Sequence, residues 1–528
     1  MKNKLKNVIV FMILLLSSIA VIGSIYYIKE FPRQDFDVVL YTLSVGAEHS
    51  SADVVNGILF KCLIPVILLL LILLLPTIKE VKRSLVFKIN FKEKKKSIQL
   101  FPIKAISKHR AIYTSIVFFI SLVVLVRCFQ IDKFIYNRLQ TTTIFEEYFV
   151  DAQSVNIKFP ENKRNLIIII GESFENTVLS KENGGVWEHS LMPELEDFAL
   201  TNLSFSNSEK LGGPFHTHGT DYSAGGNVAI TSGIPLKTVD MLLDKNTYTG
   251  NGKYLDGVYT LGEILKDNDY NLEIIMGSDS NFGGRKQYYE TNGNYKIFDV
   301  NYAIRHGKMA PAEYIWWGFE DDKLYDWSKE ELISLAKDDK PFNFIMLTAD
   351  THFMDGYLSP NAEEKFDTQY ENVHAYSSKQ INEFINWVKK QDFYKDTTIV
   401  IIGDHLGMQN EFYEEKIKEN TNNDYTRTVY NVIINPSIEP VNNKNRLFTT
   451  MDMFPTILAS IGVEIEGNRL GLGTNLFSEK PTLVEELGYD YFNNELKKNS
   501  KFYNETILGE DYYIMRKPTS QGSENIYE

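Results

Sequence analysis

Three apolar stretches in the first quarter of the chain constrain it more than any other feature. Val8–Ile28 runs for 21 residues without a charge. Cys62–Ile78 is rich in Leu and Ile and is extended through Lys61 by Gly57–Phe60. Ala111–Val126 is the third, lengthened by its flanks. A helix needs about 20 apolar residues to cross a hydrocarbon core, so the first suffices alone and the other two reach that length with their neighbours. The competing reading is a cleaved leader followed by core helices, and Met1–Asn7 does have a basic character. No small-x-small cleavage site follows the first run, however, and two further runs come after it. Three transmembrane helices are therefore expected within residues 1–130.

Basic residues give the orientation, because short cytoplasmic loops are enriched in Lys and Arg. Lys2, Lys4 and Lys6 precede the first span. The loop Lys29–Asp53 has 2 basic and 5 acidic residues, whereas Lys79–Arg110 has 11 basic and 2 acidic. Both basic segments belong inside, so the expected protein is a multi-pass cell-membrane protein with a cytoplasmic N-terminus. Everything beyond about residue 130 then lies outside the cytoplasm, in a periplasm or at a cell surface.

The remainder of the 528 residues is long enough for one large domain or two smaller ones. Residues 1–130 carry 18 Lys and Arg against 7 Asp and Glu, leaving 37 against 62 for the rest. So acidic a surface argues against nucleic acid as a partner. The two cysteines, Cys62 and Cys128, both lie in the apolar third. The outer part therefore has no Cys-ligated zinc, cysteine nucleophile or internal disulfide.

Within that outer part, β-branched runs recur at Asn165–Ile170, Leu272–Met276, Phe342–Leu347, Thr398–Ile402 and Asn431–Ile434. Helical patterns lie between them, as at Leu261–Lys266, Ser377–Lys390 and Met451–Ile461. Continuous apolar strands alternating with helices predict an α/β/α sandwich with a mostly parallel central sheet. The expected division is a membrane domain over 1–130, an amphipathic linker over 131–163 and a catalytic domain over 164–528. In the linker, Phe134, Ile135, Leu139, Ile144 and Phe145 suit either a helix along the membrane face or a buried connector. Pro518–Glu528 reads as a polar tail.

Chemistry in such sheets collects at the carboxyl ends of strands. The first exit here is Gly171-Glu172-Ser173, the second Gly277-Ser278-Asp279, the third Thr348-Ala349-Asp350-Thr351-His352 and the fourth Gly403-Asp404-His405. Asp404 with His405 makes half of a divalent-cation site, and Glu172 could complete it. Singly, each also suits a structural turn or helix cap. Oxygen ligands with one imidazole fit Mn, Mg or Zn. A hydroxyl nucleophile could come from Gly219-Thr220-Asp221-Tyr222-Ser223-Ala224-Gly225-Gly226-Asn227, which otherwise reads as a Gly-rich turn before a helix. A helix N-terminus there would favour a phosphate.

Five segments occur in order: LIIIIGESFENT, GTDYSAGGNVAITSGIPL, LTADTHFMDGYLS, IVIIGDHLGM and TTMDMFPTILASIGV. Together, over about residues 160–475, they resemble the phosphoglycerol transferases that decorate periplasmic glucans and the related lipoteichoic acid synthases. These belong to the alkaline phosphatase and sulfatase superfamily. The resemblance implies one divalent metal ion, Mn2+ first, with Mg2+ and Zn2+ as alternatives. It implies metal ligation by Glu172, Ser223, Asp404 and His405, with Ser223 as the nucleophile. It places His352 at the substrate phosphate or glycerol and Arg285 at the donor headgroup. The family's nucleophile is Thr where this chain has Ser223, which leaves Thr220 as a rival. The formylglycine sulfatase signature, Cys or Ser followed by x-Pro-x-Arg, is absent after Ser223.

The implied activity moves phosphoglycerol from a membrane phospholipid, phosphatidylglycerol, to a cell-envelope glycan. The rivals are a phosphoethanolamine transferase, a hydrolase of the same fold and a non-catalytic sensor. Filled ligand and nucleophile positions argue against the last. The Gly-Ile-Pro-Leu segment after Ser223 and the cysteine-free outer domain argue against the first. The orientation has a direct test. In a chain with Cys62 and Cys128 replaced by Ser, a membrane-impermeant maleimide applied to intact protoplasts should label Glu161→Cys. It should spare Lys95→Cys until lysis.

Overall fold

A computed structural model describes residues 2–30, 36, 37, 39, 40, 59–77, 85–91, 94–101, 109–237, 252–421 and 424–509. The polar tail expected at Pro518–Glu528 lies outside the described residues. The chain divides into two compact units, Met1–Phe36 with Ser50–Tyr136, and Asp37–His49 with Asn137–Glu528.

In the first unit, three helical segments are long and apolar enough to cross a membrane: Lys4–Lys29, Leu59–Thr77 and Arg110–Cys128. Ser and Thr side chains inside them bond to their own helix, while the Tyr113 hydroxyl of the third donates to the Leu73 carbonyl of the second at 3.2 Å. Ser17 Oγ donates to the Ile13 carbonyl at 2.9 Å, Ser18 to Leu14 at 2.8 Å and Thr114 to Arg110 at 2.8 Å. Hydrocarbon offers no other partner, so this local bonding lets Ser and Thr reside in a span. Ser17, Ser18 and Ser24 are fully buried, as small residues at helix interfaces are. Leu5, Phe60, Ile72 and Phe119 point outward instead. The basic loop between the second and third helices contains an antiparallel hairpin, Leu85–Phe91 with Lys94–Phe101, which its charge did not suggest.

The second unit is built on β1 (Asn165–Gly171), α1 (Ser223–Ser232), β2 (Asn271–Met276) and β3 (Lys296–Phe298). It continues through α2 (Asp321–Leu335), β4 (Phe342–Leu347), α3 (Gln369–Val388), β5 (Thr397–Gly403), β6 (Asn431–Ile434) and α4 (Met453–Ser460). The strands form one sheet in the order β3-β2-β4-β1-β5-β6. All neighbours are parallel except β5 and β6. This is the predicted mostly parallel α/β/α architecture.

Side-chain alternation assigns each strand to two cores. Leu166, Ile168 and Ile170 join one apolar layer with Val228, Ile230 and Leu458. Ile167 and Ile169 face the other, with Phe344, Ile381 and Phe384. Burial on both faces explains why β1 reads as an unbroken apolar run. The edge strand β3 has only three residues and leaves little trace in the sequence. Helix α3 starts before the expected Ser377 because Thr368 and Glu371 form a capping box upstream.

The expected linker is two short helices, Ile131–Leu139 and Ile144–Tyr148. Ile144 and Phe145 are buried in the core of the second unit, and Phe145 meets Tyr503 edge-on at 5.1 Å. Those two residues therefore belong to a buried connector. Ile135 and Leu139 remain exposed.

Candidate active site

Register brings the strand exits to one level. Ile170 pairs with Leu347 and Met276 with the same Leu347, while Gly171 pairs with Gly403. Glu172, Ser278 and Asp404 consequently lie two positions past that level at the carboxyl edge, and Thr348 one position past it. Glu172, Asp404 and His405 are all buried, and each offers a ligand atom within 4.8 Å of the others.

Their orientations are fixed from behind. Ser173 donates its backbone N–H to Asp404 Oδ1 at 2.9 Å and its hydroxyl to Glu172 Oε1 at 2.8 Å. It does so from a left-handed backbone, φ 59°. Such a conformation costs a non-Gly residue roughly 1–3 kcal/mol, which these bonds offset. The Glu172 N–H donates to Thr348 Oγ1 at 3.0 Å, and Thr351 Oγ1 donates to the Glu172 carbonyl at 2.6 Å. The His405 N–H donates to Asp404 Oδ1 at 2.8 Å. His405 Nδ1 is 2.8 Å from the Leu406 carbonyl, which can only accept. Nδ1 is therefore a donor, which leaves Nε2 as the ring atom that faces the cluster.

Ser223 opens α1, and its Oγ lies 3.2 Å from Glu172 Oε2 and 3.3 Å from His405 Nε2. The close approach depends on Gly226, where an added Cβ would sit 2.2 Å from the Asp404 carbonyl oxygen. Of the glycines read as a turn before a helix, Gly219 does lie in that turn, at φ 80°, whereas Gly225 and Gly226 are inside the first turns of the helix. The N–H groups of that first turn have no acceptor within the helix.

Thr220 is placed differently. Its fully buried Oγ1 accepts from the Thr217 N–H at 2.8 Å and bonds the Thr217 carbonyl at 3.1 Å, closing a local turn. Glu172, Ser223, Asp404 and His405 are thus brought together, and Thr220 is not among them.

His352 and Arg285 border the cluster. His352 Nδ1 is 2.6 Å from the Phe353 carbonyl, so this imidazole also carries its proton on Nδ1. Trp317 packs edge-on against it, with ring centroids 4.7 Å apart. Arg285 donates to Ser278 Oγ at 3.0 Å and to the carbonyls of Asp279 and Phe282 at 3.1 and 3.0 Å. Its guanidinium organises the second strand exit, and its charge acts on His352.

Electrostatics reflect crowding. Burial works to raise the Glu172 carboxyl, but His352 and His405 outweigh it and hold it below its ordinary value. Burial and the neighbouring Glu172 push Asp404 up to about 7. Burial opposes charge on His405, yet Asp404 and Glu172 raise it. His352 is lowered by burial, against the pull of Glu172. Two carboxylates held this close repel, and a divalent cation would relieve that repulsion. Carboxylate oxygens with one oriented imidazole fit Mg, Mn or Zn.

A buried ion pair holds the loop after β5. Arg427 pairs with Glu175 through two bonds, one of 2.9 Å from Nε to Oε1 and a shorter one from Nη2 to Oε2. Arg427 also donates to the Gly407 carbonyl at 2.7 Å, and its guanidinium lies over the Tyr413 ring at 4.3 Å. Glu175 in turn accepts from the Gly407 N–H at 2.7 Å. These supporting residues, with Ser173, Thr348 and Thr351, were not assigned roles from sequence. Glu175 and Arg427 stand 252 positions apart, so nothing local marks them as partners.

The chain belongs to the Sulfatase family, whose model matches residues 164–463. Phosphoglycerol transferase I of Escherichia coli (strain 55989 / EAEC) is 31% identical over 330 residues, covering 60% of this chain and 40% of that protein. The protein of the same name from Shigella boydii serotype 18 (strain CDC 3083-94 / BS512) gives the same identity and coverage. The match therefore spans about two-fifths of these relatives' length. Among solved structures, the lipoteichoic acid synthase LtaP from Listeria monocytogenes is similar at a TM-score of 0.49 and 20% identity. That likeness covers 62% of this chain and 82% of the other. A protein in the alkaline phosphatase superfamily from Vibrio parahaemolyticus gives 0.46 and 23%, over 60% and 72% of the two chains.

Two outcomes follow from the packing. Gly226→Ala should displace the start of α1 from Asp404 and weaken Mn2+ binding by about 10- to 100-fold, the range for disturbed supporting contacts, as read by metal titration calorimetry. Arg427→Ala leaves Glu175 charged, buried and unpaired, and should cost about 3–5 kcal/mol in denaturant unfolding.

Proposed function

We propose that this chain is a metal-dependent phosphotransferase that carries phosphoglycerol from phosphatidylglycerol to a cell-envelope glycan through a covalent seryl intermediate. The observation that carries the reading is the position of Ser223 Oγ, within 3.3 Å of both Glu172 and His405 at a helix N-terminus. The 31% identity to phosphoglycerol transferases supports the choice of group.

Glu172, Asp404, His405 and Ser223 would hold one divalent cation, Mn2+ first. When bound, it would lower the hydroxyl's pKa and offset charge on the phosphoryl oxygens. In the first step Ser223 Oγ bonds to phosphorus, the bond from phosphorus to the diacylglycerol oxygen breaks, and diacylglycerol leaves with a proton. The first turn of α1 directs N–H groups and its dipole toward the anionic phosphoryl group. Arg285 would pair with the donor headgroup. In the second step a sugar hydroxyl of the acceptor bonds to phosphorus and the Ser223 ester breaks. His352, neutral and with Nε2 unprotonated, suits acceptance of that hydroxyl's proton. Membrane spans with an extracytoplasmic domain would confine the enzyme to the surface where its lipid donor resides, raising effective concentration.

Full-length protein in detergent, stripped of metal and resupplied with Mn2+, should release diacylglycerol from phosphatidylglycerol. Ser223→Ala should lower the rate by about 10³-fold or more, as loss of a nucleophile does. Ser223→Thr should retain activity, and Thr220→Ala should keep the hydroxyl chemistry. Turnover of phosphatidylethanolamine in place of phosphatidylglycerol would transfer the protein to the phosphoethanolamine branch.

A further inference from the structure

The segment Met309–Glu320 carries Tyr314-Ile315-Trp316-Trp317, an aromatic run that the phosphoryl chemistry leaves unused. It folds as a two-residue hairpin loop. The Ile315 N–H donates to the Gly318 carbonyl at 2.9 Å, and the Gly318 N–H returns to Ile315 at 2.8 Å. The loop is anchored to the second strand exit, where Gly318 bridges Ser278 and the Phe319 N–H donates to the Gly277 carbonyl at 3.1 Å.

Both tryptophans therefore sit at the corner of a turn fixed to the catalytic edge. Trp316 has φ 57°, a left-handed conformation that Gly or Asn normally supplies at a hairpin corner. Its Nε1 donates to the Ala349 carbonyl at 3.2 Å, next to the His352 loop, while the ring stays half-buried. Tyr314 is 45% exposed, and its hydroxyl donates to the Trp317 carbonyl at 2.9 Å. Trp317 touches His352 at 4.7 Å and Phe282 at 5.5 Å, and Arg285 lies over Phe282. The Trp317 indole N–H is buried with no hydrogen-bond partner. A buried donor left unmade is costly unless something else meets it.

Resting on the phosphotransferase reading, we propose that Trp316 and Tyr314 form a stacking platform for a neutral pyranose ring of the acceptor, beside His352. The C–H faces of a pyranose match the negative face of an aromatic ring. Apolar rings with a few placed polar groups are the usual make-up of a ligand site. The segment itself supplies no cation for an anionic acceptor chain: apart from Lys308 just before it, Met309–Glu320 has no Lys or Arg and contains Glu313 and Glu320.

The test uses the full chain in phosphatidylglycerol vesicles with Mn2+ and a linear β-linked glucose hexasaccharide. Three readouts are taken: diacylglycerol release without sugar, phosphoglycerol on the sugar, and saturation-transfer NMR from protein to the sugar ring protons. Trp316→Ala should raise the KM for the hexasaccharide about tenfold, the loss expected for one aromatic stack. It should remove the saturation transfer and leave sugar-free diacylglycerol release unchanged. Trp316→Phe should restore most of the binding. An unaltered KM in Trp316→Ala, a parallel fall in diacylglycerol release, no saturation transfer from the wild-type protein to the sugar, or preferential use of a glycerol phosphate oligomer would each overturn the platform. Failure of the wild-type protein to cleave phosphatidylglycerol would instead sink the donor assignment, and saturation transfer would still report on the platform.

Discussion

Two carboxylates and an imidazole are held within 4.8 Å of one another, out of water, and the rest of the second unit is arranged around that constraint. Like charges in a poorly solvated site repel strongly, and desolvation adds to the cost. The protein offsets part of it with backbone N–H groups. Those of Ser173 and His405 both converge on Asp404 Oδ1. Hydroxyls of Ser173, Thr348 and Thr351 bind Glu172 or its backbone. What remains uncompensated is the repulsion between Glu172 and Asp404, which a divalent cation would neutralise.

Rigidity of the sheet makes this arrangement reproducible. Because β1, β4 and β5 are parallel and in register, their exits fall at one level and their loops meet. Helix α1 must then approach the sheet edge closely enough to place Ser223 against Glu172 and His405, which Gly226 permits by lacking a Cβ. The Glu175–Arg427 pair fixes the loop that carries His405 onward, through both the N–H and the carbonyl of Gly407. A site assembled from rigid strand ends and one helix start loses little entropy when it binds.

Much of this was legible in the sequence because the determinants are local. Unbroken runs such as Asn165–Ile170 and Thr398–Ile402 announce strands buried on both faces, and the residues after them are the ones that meet at the edge. The hairpin of Leu85–Phe91 and Lys94–Phe101 was hidden by the charge of its loop. Strand β3 was hidden by its length. The rivalry between Ser223 and Thr220 could not be resolved by spacing, since both are hydroxyls in one Gly-rich segment.

The sequence alone determined the apolar spans, the charge asymmetry around them, the α/β alternation and the set of residues that leave the strands. Each depends on composition or on periodicity within a few residues. Tertiary structure decided which of those residues meet. It gave Thr220 to a local turn and Ser223 to the cluster of Glu172, Asp404 and His405. It joined Glu175 to Arg427 across 252 positions and set Trp316 at the corner of a hairpin bound to the active edge. These are contacts between distant segments, and only the register of the sheet and the packing of α1 against it fix the distances on which they depend.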